Sequence, residues 1–371
     1  MKFIKTIVSV ISVFAILSSC STRKDTIVSR NWHSLNTKFN VLFNGKEAFK
    51  KGIDGINESY KDDWFEQLPI EPIKFSREKI EIPKFNNSIG AGFGDAKDEE
   101  KKASTPFGIA EEKAVKAIQK HGMNIAGEER NSQIDDAYLL LGKARYYDQR
   151  FIPAIESFNY VISSYPFANL INETKIWRAK TNIRLDNEEF AVETLNLLLK
   201  VKDTLELELP EDIKEQGYTA LAMAYVKMDS IQKAKKFLTK ATETLNNKDQ
   251  GARNLFVLGQ IYSSENKKDS ASVIFKKIIN FKQAPDKYKM HANIELAKNT
   301  TSDSASVVIL NKMQKLIKNR DNRKYLDKLY YQVGLLHEKN DSIDLATAYY
   351  NKSLRTASDN VKQKTFTFER L

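Results

Sequence analysis

The chain has 371 residues, of which 41% are hydrophobic and 29% charged, with 14 Gly, 8 Pro and one Cys. So few glycines and prolines exclude collagen-like and low-complexity chains and suit a mostly helical protein, and a single cysteine excludes an internal disulfide. The formal charge of +11 is unevenly spread: residues 226–328 hold 22 Lys and Arg against 10 Asp and Glu, a net +12, and leave the remainder close to neutral. Such a stretch can attract nucleic acid, anionic lipid or an acidic protein surface, or it can simply be the solvated outer face of helices.

At the start, Lys2 and Lys5 precede an apolar run from Ile7 to Leu17 that is of signal-peptide length and too short to span a bilayer comfortably. The run ends in Leu17-Ser18-Ser19-Cys20, which resembles the lipobox of bacterial lipoproteins. That resemblance implies a signal peptide over residues 1–19 and a lipid on Cys20, an anchor of several acyl chains held stably in a bilayer. Ser21 stands where Asp favours inner-membrane retention, and residues 21–26 lack an acidic run associated with surface export. The expected location is the periplasmic face of the outer membrane, where nucleic acid is not an expected partner.

Residues 20–63 read as the anchor and a helical segment. Phe39, Leu42, Phe43, Ala48, Phe49 and Ile53 give Asn36–Ile56 an apolar face, which Asn44-Gly45 is expected to break or bend. Residues 64–105 read as an extended, flexible linker. Pro69, Pro72 and Pro83 push their predecessors out of the helical region, and residues 86–104 are polar with several glycines. Ser104-Thr105-Pro106 is a helix-start signal. The helix that follows, with Ala110, Ala114, Val115 and Ile118 on one side, is expected to cover the open end of whatever comes next.

From there a three-position pattern recurs. A small residue is followed 12 positions later by another and 16 positions later by a bulky one: Gly142/Ala154/Phe158, Ala179/Ala191/Leu195, Ala222/Ala234/Leu238, Gly259/Ala271/Phe275 and Gly334/Ala346/Tyr350, with a weaker Asn293/Ala305/Ile309. In paired antiparallel helices the small residues fall where the axes approach, and the bulky one is expected to fill the space towards the next hairpin. This pattern is the signature of the tetratricopeptide repeat, a helix–turn–helix unit of about 34 residues. The expected fold is all-α: a tetratricopeptide-repeat solenoid over 106–371, with repeats starting near 135, 172, 215, 252, 286 and 327. A seventh repeat starting near 365 would have Phe368 and Leu371 at its fourth and seventh positions and be cut short at 371, as in a fragment or a split reading frame. A stack of this kind is a scaffold for protein–protein interaction.

Catalytic chemistry is sparse. His33, His121, His291 and His337 are dispersed, without the i, i+4 spacing that places two ligands on one helix face, and His337 falls at a packing or groove position. Gly90, Gly92 and Gly94 lack the flanking strand and helix of a phosphate loop. No enzyme activity, cofactor, metal or small-molecule substrate is expected. Asp229-Ser230, Asp269-Ser270, Asp303-Ser304 and Asp341-Ser342 are each expected at the turn inside a hairpin, where Asp and Ser cap helices. Each also resembles the O-glycosylation motif of exported Bacteroidota proteins, with Ser230, Ser270, Ser304 and Ser342 as acceptors.

Three segments carry a wider resemblance: Cys20 to Gly45, including Asn31-Trp32-His33; Ala110 to His121; and Asp136 to Ala154. They are similar to the SprE/PorW lipoproteins, and the likeness extends over the chain. The resemblance implies an outer-membrane component of the type IX secretion and gliding-motility machinery, with protein components of that system as partners. A generic periplasmic repeat lipoprotein assisting outer-membrane or cell-wall assembly is the open alternative.

Overall fold

In a computed structural model, residues 21–74, 105–200, 208–300, 303–357 and 360–371 are described. The signal segment with Cys20, most of the expected linker and most of the loop after residue 200 lie outside them. The chain divides into two units, Met1–Lys61 with Pro72–Leu209, and Asp62–Glu71 with Pro210–Leu371.

In the first unit, Thr26 caps α1 (Ile27–Asn36) by accepting from the Ser29 amide. A π-helical stretch, Thr37–Leu42, leads without a break into α2 (Phe43–Ser59). The expected interruption at Asn44-Gly45 is therefore not there. Gly45 lies inside α2 because a neighbour comes close: a Cβ on it would sit 2.9 Å from Leu140 and 3.1 Å from the Lys113 Cβ. Thr105 caps α3 (Pro106–His121) through the Gly108 amide, with Pro106 in the first turn, where its missing N–H costs nothing. Ala110, Ala114 and Ala117 on α3 are fully buried and let α2 and α4 (Ile134–Tyr147) pack closely on either side. A small hairpin, β1 (Asn124–Ile125) with β2 (Glu128–Glu129), turns through Ala126 and Gly127, both at positive φ. Two repeat hairpins complete the unit: α4 with α5 (Phe151–Ser164), and α6 (Ile171–Arg184) with α7 (Glu188–Lys200).

The second unit stacks α8 (Glu211–Lys227) with α9 (Ile231–Ala241), α10 (Lys248–Ser264) with α11 (Lys268–Asn280), and α12 (Asp286–Asn299) with α13 (Asp303–Lys318). After a 3-10 turn at Arg320–Tyr325 come α14 (Leu326–Lys339) with α15 (Ile343–Thr356), then α16 (Val361–Phe368). The fold is the expected all-α tetratricopeptide-repeat array. The last helix begins four residues before the expected 365. In this register Gln363 and Thr367 face inward, while Phe368 and Leu371 stay 64% and 52% exposed.

The three-position pattern has a direct physical meaning. A Cβ on Gly142 would sit 2.4 Å from the Phe158 ring, one on Gly259 2.6 Å from Phe275, and one on Gly334 2.4 Å from Tyr350. The bulky residue thus lies across the small residue of its own hairpin, rather than between hairpins as the sequence suggests. Glycine faces an aromatic ring in these three hairpins. In the two with alanine, Ala179 and Ala222, the partner is the smaller Leu195 or Leu238, also fully buried. Each pair fills about the same space, as a close-packed interior demands. In the weaker set Asn293 is buried and Ile309 packs against the Met290 cluster, while the Ala305 side chain lies outside the described residues.

Each of these five hairpins turns in the same way, seven residues after the small one. Gln149, Asp186, Asp229, Asn266 and Asp341 have φ of 54–62°. The next amide bonds a carbonyl five residues back, from Arg150 to Arg145 through Ser342 to His337. This is a Schellman closure made without glycine, and Asp and Asn, which tolerate the left-handed region best, fill four of the five places. The Asp-Ser pairs are corrected accordingly. Asp229 and Asp341 form the turn through their backbones, and Ser230 and Ser342 make no side-chain cap. Asp269-Ser270 lies three residues further on, inside the first turn of α11, because Asn266 makes the turn there. Asp303-Ser304 opens α13.

Candidate peptide-binding site

The residues singled out from sequence do not converge. Ser270 is exposed, Ser230 and Ser342 are half-exposed, and the side chain of Ser304 lies outside the described residues, as does Cys20. Of the basic stretch, Lys315 and Lys318 on α13 are exposed, whereas Lys312 is half-buried and its pKa is lowered by that burial. Lys235 and Lys267 are tied to Glu265, and hydrogen bonds from Lys235, then Lys267, hold that carboxyl down at about 2. Two of the dispersed histidines do meet: His33 and His121 approach at 3.1 Å between their Nδ1 atoms. His337 is a packing residue, stacked on Tyr349. Among the described residues, no three His, Cys, Asp or Glu side chains are placed to hold a metal ion.

What the structure does bring together is in the second unit, and sequence reasoning placed half of it in a flexible linker. Residues 62–71, Asp-Asp-Trp-Phe-Glu-Gln-Leu-Pro-Ile-Glu, form an irregular strap packed on α10, α12 and α16. Its shape follows from its sequence. The Asp63 carboxylate accepts from the Phe65 amide at 3.1 Å and closes a turn, and Pro69 and Pro72 hold the residues before them extended. Leu68 and Ile70 are 2% and 3% exposed, values of a core and not of a linker.

The helices read the backbone of the strap as well as its side chains. Gln260 uses both ends of its amide, accepting from the Leu68 N–H at 2.9 Å and donating to the Glu66 carbonyl at 2.9 Å. Gln250 donates to the Ile70 carbonyl at 2.8 Å and is itself braced by Asn254. Arg253 is the centre. One guanidinium nitrogen donates to the Pro69 carbonyl at 2.8 Å, and another to both oxygens of Asp62 at 2.6 and 2.9 Å. Its Nε donates to the Tyr288 hydroxyl. The Arg253 and Asp62 side chains are each 1% exposed, so a fully desolvated ion pair carries two further hydrogen bonds, to the Pro69 carbonyl and the Tyr288 hydroxyl, the condition under which such a pair is tolerated. Burial pushes the Tyr288 hydroxyl well above the ordinary phenol range and keeps it a neutral acceptor.

Beside this pair, Trp64 lies flat on His291, with ring centroids 3.5 Å apart and planes 8° from parallel, and meets Phe256 edge-on. The imidazole is held neutral. His291 is buried, Lys328 stands 3.2 Å from Nε2, and burial first, then that cation, force the pKa well below 6.5. Its Nδ1 lies 2.7 Å from the Lys287 carbonyl, which fixes the proton on Nδ1 and leaves Nε2 to accept from Lys328. At the far end, Lys362 pairs with Glu66 at 2.9 Å and with Asp63, whose carboxyl falls below its ordinary pKa mainly through that bond. Phe65 packs on Phe366. The strap carries four carboxylates and no cation, and it is met by Arg253, Lys287, Lys328 and Lys362. One signal for the site was present in the sequence: Arg253, Gln260 and His291 interrupt the apolar run of first helices, where a structural core has no use for them.

Residues 215–244, 252–285 and 327–360 match the tetratricopeptide repeat model. No curated protein matches the chain. Among solved structures, the C-terminal part of a TPR repeat-containing protein from Cytophaga hutchinsonii is 14% identical, covering 70% of this chain and 93% of that one, with a TM-score of 0.49. YrrB, described as a TPR protein with an unusual peptide-binding site, is 12% identical over 58% of this chain and 99% of its own, with a TM-score of 0.42. MamA is 19% identical over 60% and 97%, with a TM-score of 0.32.

Proposed function

We propose that this chain is an outer-membrane lipoprotein, anchored through Cys20 on the periplasmic side, whose repeat array holds protein partners within the type IX secretion and gliding machinery. The observation that carries the scaffold part is the face of α10 and α12, where Gln250, Arg253 and Gln260 hydrogen-bond the main chain of a non-helical segment. Groups arranged to read a peptide backbone suit polypeptide ligands, and repeat arrays offer such surfaces by construction. The secretion assignment is supported by the likeness of Cys20–Gly45, Ala110–His121 and Asp136–Ala154 to the SprE/PorW lipoproteins, and the location by the lipobox. Cys20→Ala in the native host tests both together. The expected result is a precursor that keeps residues 1–19, leaves the outer-membrane fraction and fails to support secretion of cargo proteins. Normal fractionation would refute the anchor, and normal cargo secretion after deletion of the whole gene would refute the secretion role.

A further inference from the structure

The strap is bound as a ligand is bound. Main-chain groups of Glu66, Leu68, Pro69 and Ile70 are satisfied by side chains of helices about 180 to 194 residues away in sequence. Its side chains are held separately: Asp62 by Arg253, Trp64 in the stack on His291, and Leu68 and Ile70 by burial at 2% and 3% exposure. Hydrophobic packing alone would have no need of a bidentate carboxylate clamp, nor of a glutamine spending both its donor and its acceptor on one backbone.

We propose that this face of the second unit is a sequence-reading peptide site for extended acidic segments of the form Asp-x-Trp followed by Leu-Pro-Ile, and that residues 62–71 occupy it in cis as a resident ligand that an incoming partner segment must displace. The proposal rests on the scaffold reading and is independent of the secretion assignment. Each element of the form has a receptor. The carboxylate is required by Arg253, which buried without it would hold an unpaired charge. An aromatic ring two residues on is required by the flat face of the neutral imidazole. The proline holds the residue before it extended, with its N–H on Gln260. Because the strap is covalently attached, it competes for the site as an intramolecular ligand, and a free segment must outcompete it to bind.

A fluorescently labelled peptide of residues 60–73 tests this against the purified full chain. In the wild-type chain the peptide should bind weakly. In the chain carrying Asp62→Ala with Trp64→Ala it should bind at least tenfold more tightly. Adding Arg253→Ala or Gln260→Ala to that chain should abolish the gain, and a scrambled peptide of the same composition should bind neither chain well. Equal binding by wild-type and released chains would overturn the resident-ligand claim. No binding by a released chain that keeps its helical signal would show that the strap is packing only. Equal binding of the scrambled peptide would overturn sequence reading in favour of charge alone. If the double variant loses helical signal, the milder Asp62→Asn chain replaces it, with the same outcomes. Because none of these measurements uses secretion, their failure leaves the secretion assignment to be judged by its own experiment.

Discussion

Both units cover the first helices of their repeats with a stretch from the chain's first 71 residues, but by opposite chemistry. In the first unit the cover is a helix. α2 lays Gly45 against Leu140 and Phe49 edge-on against Tyr147, with Lys46 and Asp136 paired at the rim. A helix satisfies its own backbone, so it meets the repeats through its side chains alone. In the second unit the cover is the strap, whose exposed N–H and C=O groups must be met, and Gln250, Arg253 and Gln260 meet them. An array can thus be closed by packing or by polar recognition. Only the second leaves a surface that discriminates among sequences.

The largest effect should break that distinction from the second side. Arg253→Met keeps the volume but leaves the buried Asp62 carboxylate with Lys287, at 3.8 Å, as its remaining cation among the described residues. A cost of about 3–5 kcal/mol is expected. Hydrogen exchange should show it in the strap and α10, with α2 and α4 unchanged. Equal loss of protection in α4 would mean that the two covers are not independent.

Next in size is a change that should affect both units alike. Gly142→Ala in the first unit and Gly259→Ala in the second each drive a methyl into an aromatic ring, costing about 1–3 kcal/mol. Phe158→Leu or Phe275→Leu in the same chain should recover most of it, as denaturant midpoints would show. Failure of both rescues would remove the matched-volume account of the repeat pattern.

The smallest effect is set by pH. His121, His291 and His337 are all held below 6.5, His291 furthest, each chiefly by burial. Between the native pKa and 6.5 the unfolded chain binds protons that the native chain does not, so stability is full above 6.5 and falls as pH drops below it. Since two of the three belong to the second unit, its exchange protection should decline first on moving from pH 7 to pH 5. A His291→Asn chain should lose much of that slope, and an unchanged slope would put the cause elsewhere.

The array was legible because its packing rule is local. The small and bulky members of a pair sit 16 residues apart in one hairpin, and a short window shows both. The starts expected near 215, 252 and 327 are also where the matched repeats begin. The strap was not legible because its partners are nearly 200 residues away and its prolines and acids have the composition of a linker. What a linker does not explain is Trp64, Leu68 and Ile70 within seven residues. The Asp-Ser pairs misled for another reason. Residues that favour caps also tolerate positive φ, and the backbone requirement of the turn prevailed over the hydroxyl.

The matched pairs of small and large residues also bear on how such a chain can be cut and rejoined. Each pair lies wholly within one hairpin, so duplicating or deleting an entire repeat carries both halves along and leaves every interior filled. A crossover falling between the two helices of unlike repeats would set Gly142 against a leucine and open a void, or Ala179 against a phenylalanine and force a collision. The grammar of the array therefore permits rearrangement at the boundaries between repeats and penalises it inside them.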